Sequence, residues 1–271
     1  MKLICKVFSF MLAVFLWLRK KDRTVAQIHL KKLGVERGVF KFYKEFCFRF
    51  LYSFLGKLRL EACELPQNAI ITTAHFAFLP ALLRLRAYFP NHNFSLIVRY
   101  PRVRLLKLLY VQISKLLNVN FVFRFKDFIV QPNQCLVVFL DQDTKGVGIF
   151  TEFCGEKAKT PSTIFKLALE QQRRAFFLGG YLKDSIFRLS IKPLQGASVS
   201  ELCLAYNKAL ESCLREDFFS WPWFHKRWRT RDNKKLSYEE YISFVNSHSF
   251  KLRLFEPYSE SQEIRKSRQL S

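Results

Sequence analysis

The chain is 271 residues long and carries 45 Lys and Arg against 22 Asp and Glu, a formal net charge of +23. Hydrophobic residues make up 49% of it, and Phe alone accounts for 30. Length and apolar content exclude a disordered chain and a small disulfide-stapled scaffold, because they suffice for a core. A basic and apolar protein is typical of one that meets an anionic partner, nucleic acid or an acidic membrane face. The alternative is that part of the excess charge is simply solvated.

The N-terminal segment is the first predicted element. From Leu3 to Leu18 the chain is apolar except for Lys6, and a basic cluster follows at once over residues 19–23. About 16 residues are fewer than the roughly 20 that a perpendicular membrane span needs, and small residues that would mark a cleavage site are missing. We predict an uncleaved membrane anchor over residues 1–23, with the rest of the chain cytoplasmic by the positive-inside bias. The alternative is an amphipathic or buried first helix.

The following elements predict an α/β domain over residues 24–257, with a flexible tail over 258–271. Residues 36–60 mix aromatic and basic side chains at helical spacing, which predicts a basic helix lying on lipid. Strands are predicted at 68–74, 93–99, 120–125, 134–140, 175–182 and 186–193, the last two joined by a turn at 183–185. Helices are predicted at 104–117, at 161–172 after the N-cap Thr160, and after the capping box of Ser198 and Glu201. This alternation favours a mostly parallel sheet flanked by helices.

Cysteine and histidine spacing bears on redox and metal chemistry. The seven Cys are odd in number, lie mostly among apolar residues and form no C-x-x-C pair, which predicts buried thiols in a reducing compartment. The five His show no metal-binding spacing. We therefore predict neither a structural nor a catalytic metal.

Polar residues follow two of the predicted strands directly. His75 comes after the first buried strand, and Asp141 and Asp143 come after the apolar strand 134–140. In open α/β sheets, functional groups gather beyond the carboxyl ends of the strands. Because a histidine titrates near neutral pH, His75 could act as a general base there. The alternatives are a structural histidine and two acids that cap a loop.

Four blocks of sequence carry a family resemblance. They are IITTAHFAFL at 70–79, IVRYP at 97–101, Asp-Gln-Asp at 141–143 with the glycines and aromatics that follow it, and WFHKRWRTR at 223–231. The last of these lies within the aromatic and basic WPWFHKRWRTR block at 221–231. In this order they resemble the late acyltransferases of lipid A synthesis, the lauroyl and myristoyl transferases related to lysophospholipid acyltransferases. The Asp-Gln-Asp and WPWFHKRWRTR blocks are its most specific parts.

The resemblance implies a glycerol-3-phosphate acyltransferase-like fold and a place on the cytoplasmic face of the inner membrane. The implied reaction moves a fatty acyl chain from acyl carrier protein to a hydroxyl of an acyl chain on a lipid A precursor, without a cofactor. The implied partners are therefore acyl carrier protein, the lipid A precursor and anionic membrane lipid, not nucleic acid. His75 is the expected base, Arg99 the expected donor to the oxyanion, and Arg227 and Arg229 join Arg99 as expected substrate-binding residues.

One position departs from the family pattern. The family places a Glu or Asp five residues after the His, where this chain has Pro80. An acid beside the base selects its tautomer and stabilises its charged form, so we expect Asp141 or Asp143 to approach the His75 imidazole. Two alternatives stay open: an inactive, basic membrane-surface protein of the same fold, and a nucleic-acid-binding protein that uses the Trp and Arg side chains of 221–231.

Overall fold

A computed structural model of the chain describes residues 2–33, 38–62, 64–77, 85–98, 108, 111–112, 114–115, 119–123, 131–143 and 146–248. Pro80, Arg99, most of the predicted helix 104–117 and the predicted tail 258–271 lie outside the described residues.

Helices and strands alternate through the middle of the described chain. The helices are α1 (Lys2–Leu18), α2 (Lys20–Lys32), α3 (Val39–Leu55), α4 (Leu85–Tyr88), α5 (Thr163–Glu170), α6 (Val199–Glu216) and α7 (Tyr238–Ser247), with a 3₁₀ turn at Phe218–Ser220. The strands are β1 (Lys57–Ala62), β2 (Ile70–Thr73), β3 (Asn93–Ile97), β4 (Asn120–Val122), β5 (Gln134–Phe139), β6 (Gly148–Phe153), β7 (Glu156–Pro161), β8 (Ala175–Lys183), β9 (Ile186–Pro193), β10 (Thr230–Arg231) and β11 (Lys234–Lys235).

In the described part of the chain, seven strands form a central sheet in the order β1-β9-β8-β2-β5-β3-β4. Its pairs are parallel except for the β8–β9 hairpin. The prediction of an α/β protein with a mostly parallel sheet flanked by helices is confirmed. All four residues of β2 are buried, and Thr73 at its end is in register with Phe139 of β5. The carboxyl ends of β2 and β5 therefore meet at one edge, as the sequence predicted.

Local turn chemistry explains the hairpin between β8 and β9. Asp184 and Ser185 have φ of 51° and 61°, the left-handed conformation that two-residue hairpin turns require. Both strands and this turn were predicted correctly from sequence.

Two predicted helix boundaries are wrong. Thr160 does not cap a helix, because it belongs to β7, pairs with β6 and accepts a hydrogen bond from Arg227; α5 begins at Thr163 instead. The helix predicted over 36–60 ends at Leu55, and β1 follows it. Leu58 and Leu60 are half-buried while their neighbours are exposed, which is the two-residue period of a strand.

The N-terminal helices pack on each other, and α1 leaves one face uncovered. Phe10 of α1 contacts Phe40 of α3 with ring centroids 5.6 Å apart. The exposed apolar side chains of α1 are Ile4, Val7, Phe8, Phe10, Met11, Leu12, Phe15, Trp17 and Leu18. Among the described helices, none combines the length and apolar content that crossing a membrane requires. The anchor predicted over 1–23 is therefore unsupported as a membrane span.

The described cysteines are free thiols, as predicted. Cys5, Cys47, Cys135, Cys154 and Cys203 are buried, and Cys213 is partly buried. Burial raises the pKa of Cys47 to about 12, which keeps that sulfur protonated at neutral pH.

Candidate active site

His75 lies just beyond β2 and makes two contacts with one carboxylate. Its backbone N–H donates to Asp141 Oδ2 at 3.1 Å, and its Nδ1–H donates to Asp141 Oδ1 at 2.7 Å. Because Nδ1 carries the proton in this arrangement, the lone pair of a neutral ring lies on Nε2. The prediction that an acid at the end of the neighbouring strand approaches His75 is confirmed for Asp141.

Asp141 follows β5 and is completely buried, at 0% exposed. A third donor, Trp221 Nε1, reaches its Oδ2 at 2.8 Å, so the buried charge is well hydrogen-bonded, as a buried carboxylate must be. Burial alone would raise the Asp141 pKa, but the imidazoles of His75 and His225 hold it well below its usual value. Asp141 is therefore an anion at neutral pH.

The His75 ring is only partly covered. Its side chain is 34% exposed, and it packs on Phe139 with ring centroids 4.8 Å apart. Burial lowers the His75 pKa, but the charge and hydrogen bond of Asp141 outweigh this and leave the pKa above its ordinary value. A carboxylate-oriented imidazole with an accessible Nε2 is the arrangement of a general base.

A second histidine, His225, contacts the same carboxylate. Its Nδ1 lies 3.6 Å from Asp141 Oδ2, beyond normal hydrogen-bond length, and its ring centroid is 5.5 Å from that of His75. The Gln142 side-chain amide approaches His225 Nε2 at 3.4 Å. Sequence analysis gave His225 no role; its place in the WPWFHKRWRTR block, beside the Asp-Gln-Asp block, was the available signal.

Tertiary structure also creates a possible metal-ligand group that residue spacing did not indicate. Each of His75, Asp141 and His225 offers a ligand atom, and these atoms lie within 4.8 Å of one another. Both oxygens of Asp141 already accept hydrogen bonds, so an ion on this carboxylate would have to displace those donors. The geometry fits a hydrogen-bonded His–Asp pair better than a preformed ion cage.

Asp143, the other acid of the Asp-Gln-Asp block, bonds a different partner. Its Oδ2 accepts a hydrogen bond from Thr230 Oγ1 at 2.8 Å, which joins the loop after β5 to β10. Burial raises the Asp143 pKa, although the Thr230 bond and nearby cations oppose this. Asp143 therefore supports the loop and is not the carboxylate bound to His75.

The predicted substrate-binding arginines separate in the structure. Arg227 is 0% exposed and donates to Lys159 O, Thr160 Oγ1 and Asn207 Oδ1 at 2.8 to 2.9 Å. It belongs to the interior and not to a substrate surface. Arg229 is partly buried, and among the described residues its guanidinium donates from Nε to Leu236 O, so it stays a candidate. Arg99 lies outside the described residues.

The tryptophans of the WPWFHKRWRTR block are interior residues. Trp221, Trp223 and Trp228 are at most 1% exposed, so these indole faces are not free to stack on bases. Beneath them, fully buried His29 donates from Nδ1 to Trp223 O and accepts at Nε2 from Tyr241 OH. The block therefore packs the C-terminal part of the chain onto the sheet edge that carries His75.

The chemistry available at this edge is proton transfer to and from a group that approaches His75 Nε2.

Comparison with known proteins found no protein-family model that matches this chain and no curated protein that matches it. The interpretation of the site therefore depends on the geometry of its own residues and on the sequence motifs.

Proposed function

We propose that the protein is an acyltransferase with a glycerol-3-phosphate acyltransferase-like fold, which moves a fatty acyl chain from acyl carrier protein to a hydroxyl on a lipid A precursor. The observation that carries this proposal is the His75–Asp141 pair at the carboxyl edge of the sheet. The Asp-Gln-Asp and WPWFHKRWRTR blocks support it, because both contribute residues to that pair or its surroundings.

The reaction needs a base, since an unactivated hydroxyl must lose its proton as it attacks a thioester. His75 Nε2 accepts that proton while the new C–O bond forms, and Asp141 holds the tautomer and stabilises the imidazolium. When the tetrahedral intermediate collapses, the C–S bond breaks and the imidazolium returns its proton to the departing sulfur. Atoms and charges balance without a cofactor.

Asp141 also supplies the orienting acid that the family places at the position of Pro80. An orienting acid is required beside the base, but its position in the chain is free as long as the fold brings it there. Asp141 comes from the adjacent parallel strand and bonds the imidazole Nδ1 at 2.7 Å. The replacement favours an active enzyme over an inactive relative.

The N-terminal helix suits a lipid-embedded acceptor. The exposed apolar side chains of α1 would enter the acyl region of a membrane, with Arg19, Lys20 and Lys21 at the headgroups. In this proposal α1 lies in the interface on the cytoplasmic face of the inner membrane, and anionic lipid assists its binding.

Mass spectrometry of lipid A tests the function directly. Cells that lack the gene should lose one acyl chain, and a plasmid with the wild-type gene should restore it. The His75→Ala gene should fail to restore it, while His248→Ala, a change at the end of α7, should succeed. Unchanged lipid A in the deletion strain, with the protein normally expressed in the parent, would refute the proposal and favour a non-catalytic membrane-surface protein.

A further inference from the structure

A cavity of about 390 Å³ lies beside the His75–Asp141 pair. Four separate segments line it: the start of α2 with the residue before it, the loop after β5, the segment after Trp223, and β11. His225 borders the cavity and also neighbours the His75 ring. An occupant that contacts His225 would therefore lie one side chain away from the proposed catalytic base.

The cavity concentrates positive charge. Four cations (Arg19, Lys226, Arg229 and Lys235) and two carboxylates (Asp22 and Asp143) line it. Asp22 is paired with Arg19 at 2.8 Å, and Asp143 accepts a hydrogen bond from Thr230, so the cations remain in excess. Within the described chain, no carboxylate forms a salt bridge with any of the other three cations. The cations converge by tertiary folding, so an anion in the cavity would relieve their mutual repulsion.

The surroundings of Lys226 disfavour its charged form, first through burial and second through neighbouring cations. Burial and then the charge of Arg229 lower the Lys226 pKa, and nearby Asp22 and Glu239 compensate only in part. Its ammonium lies over the Tyr238 ring at 4.8 Å, a contact that supplies part of the missing negative potential. A bound anion would interact with Lys226 and Arg229 together.

The cavity is also next to the proposed membrane surface. Arg19 directly follows Leu18, the last residue of α1 and one of its exposed apolar side chains. A ligand with acyl chains against α1 and its headgroup at Arg19 would place an anionic headgroup at the cavity. Phosphate suits such a site, since several cations can share its oxygens.

We propose that this cavity binds the phosphate monoester of a membrane-embedded lipid; that the lipid is the acyl acceptor rests on the proposed function. In this arrangement Lys226, Arg229 and Lys235 contact the phosphate, and Arg19 closes the side nearest α1. Headgroup binding would bring the rest of the lipid toward His75.

Binding of the full chain to vesicles tests the proposal without acyl donor. Three kinds of vesicle are compared: phosphatidylcholine alone, phosphatidylcholine with about 10 mol% phosphatidic acid, and phosphatidylcholine with enough phosphatidylglycerol to give the same surface potential. The Lys226→Gln/Arg229→Gln protein is compared with Lys166→Gln/Lys192→Gln, which removes the same charge from exposed positions on α5 and β9.

We expect the cavity variant to lose affinity for phosphatidic acid vesicles by about tenfold or more and the control by about threefold or less. Both should bind phosphatidylcholine vesicles like the wild type. The wild type should bind phosphatidic acid vesicles more tightly than phosphatidylglycerol vesicles of equal surface potential, because only phosphatidic acid presents a phosphate monoester. Equal losses in the two variants would overturn the proposal, because they would indicate diffuse charge attraction. Inorganic phosphate that binds the wild-type protein as tightly as the lipid would overturn the assignment to a lipid.

Two further controls keep the result interpretable. Circular dichroism reports whether the double variant folds; if it does not, Arg19→Gln/Lys235→Gln serves instead, with the same expected loss. If the protein prefers phosphatidic acid but transfers no acyl chain, the cavity assignment holds and only the proposed function is refuted. An active protein without the preference would refute the cavity assignment alone.

Discussion

Two histidines in this protein sit in opposite environments. His29 lies under the tryptophans, hydrogen-bonded at both ring nitrogens to neutral groups, and burial lowers its pKa to about 4. His75 lies at the sheet edge beside the Asp141 carboxylate, keeps Nε2 accessible, and has a raised pKa despite partial burial.

The difference shows what separates a structural from a reactive imidazole. Both rings lose contact with water, which disfavours the charged form. Only His75 has a fixed anion that reverses this effect, and only His75 has a nitrogen left for a substrate. Activity should therefore depend on His75 and Asp141, whereas His29 should affect stability.

The largest effect should come from His75→Ala. Removing the base should lower kcat by at least about 10²- to 10⁴-fold, the range for general-base catalysis. The chain should still fold, because Asp141 keeps its hydrogen bonds from the backbone N–H of residue 75 and from Trp221. Acyl transfer by purified protein, with circular dichroism as the folding check, measures this. A folded variant with a wild-type rate would remove His75 from the mechanism.

Asp141→Asn should cause the next largest loss of activity. The amide cannot stabilise an imidazolium, so kcat should fall by about 10²-fold or more. Wild-type activity should rise with pH through a His75 pKa above its ordinary value, since the neutral ring is the base. Without the carboxylate only burial acts, so the residual pH profile should move to lower pH. A shift to higher pH would contradict the role given to Asp141.

His29→Gln should change stability and its pH dependence. The unfolded chain binds a proton on His29 near its ordinary pKa of 6.5, while the folded protein does so only near 4. Wild-type stability should therefore fall as pH drops through this window, by about 1.4 kcal/mol per pH unit from this group. The free energy of unfolding, measured with urea from pH 4 to 7, should depend less steeply on pH in the variant than in the wild type. Parallel curves would exclude His29 as the source.

Asp143→Asn should have the smallest effect. The side chain bonds Thr230 and does not touch His75, so we expect a change in kcat of less than about fivefold. The expected stability loss is about 1 kcal/mol, because the amide oxygen can still accept from Thr230 but without the charge of the carboxylate. The same assays apply. A loss as large as that of Asp141→Asn would mean that the two aspartates share the catalytic role.

Much of the architecture could be predicted from local pattern. The apolar run of β5, the β-branched run of β2 and the turn at Asp184 were sufficient to identify those elements, because periodicity and turn chemistry act within a few residues. Thr160 shows the limit, since its local sequence favours a helix cap while its side chain is bound by distant Arg227.

The positions of His75 and Asp141 at the ends of two buried strands could be predicted from sequence, because strand signals and the polar residues that follow them are local. Tertiary contacts were needed to establish that Asp141 and not Asp143 binds the imidazole, that His225 joins them, and that Arg227 is interior while Arg229 lines a cavity. These outcomes depend on contacts between segments as far apart as β2 and the WPWFHKRWRTR block, and chain spacing does not encode such distances.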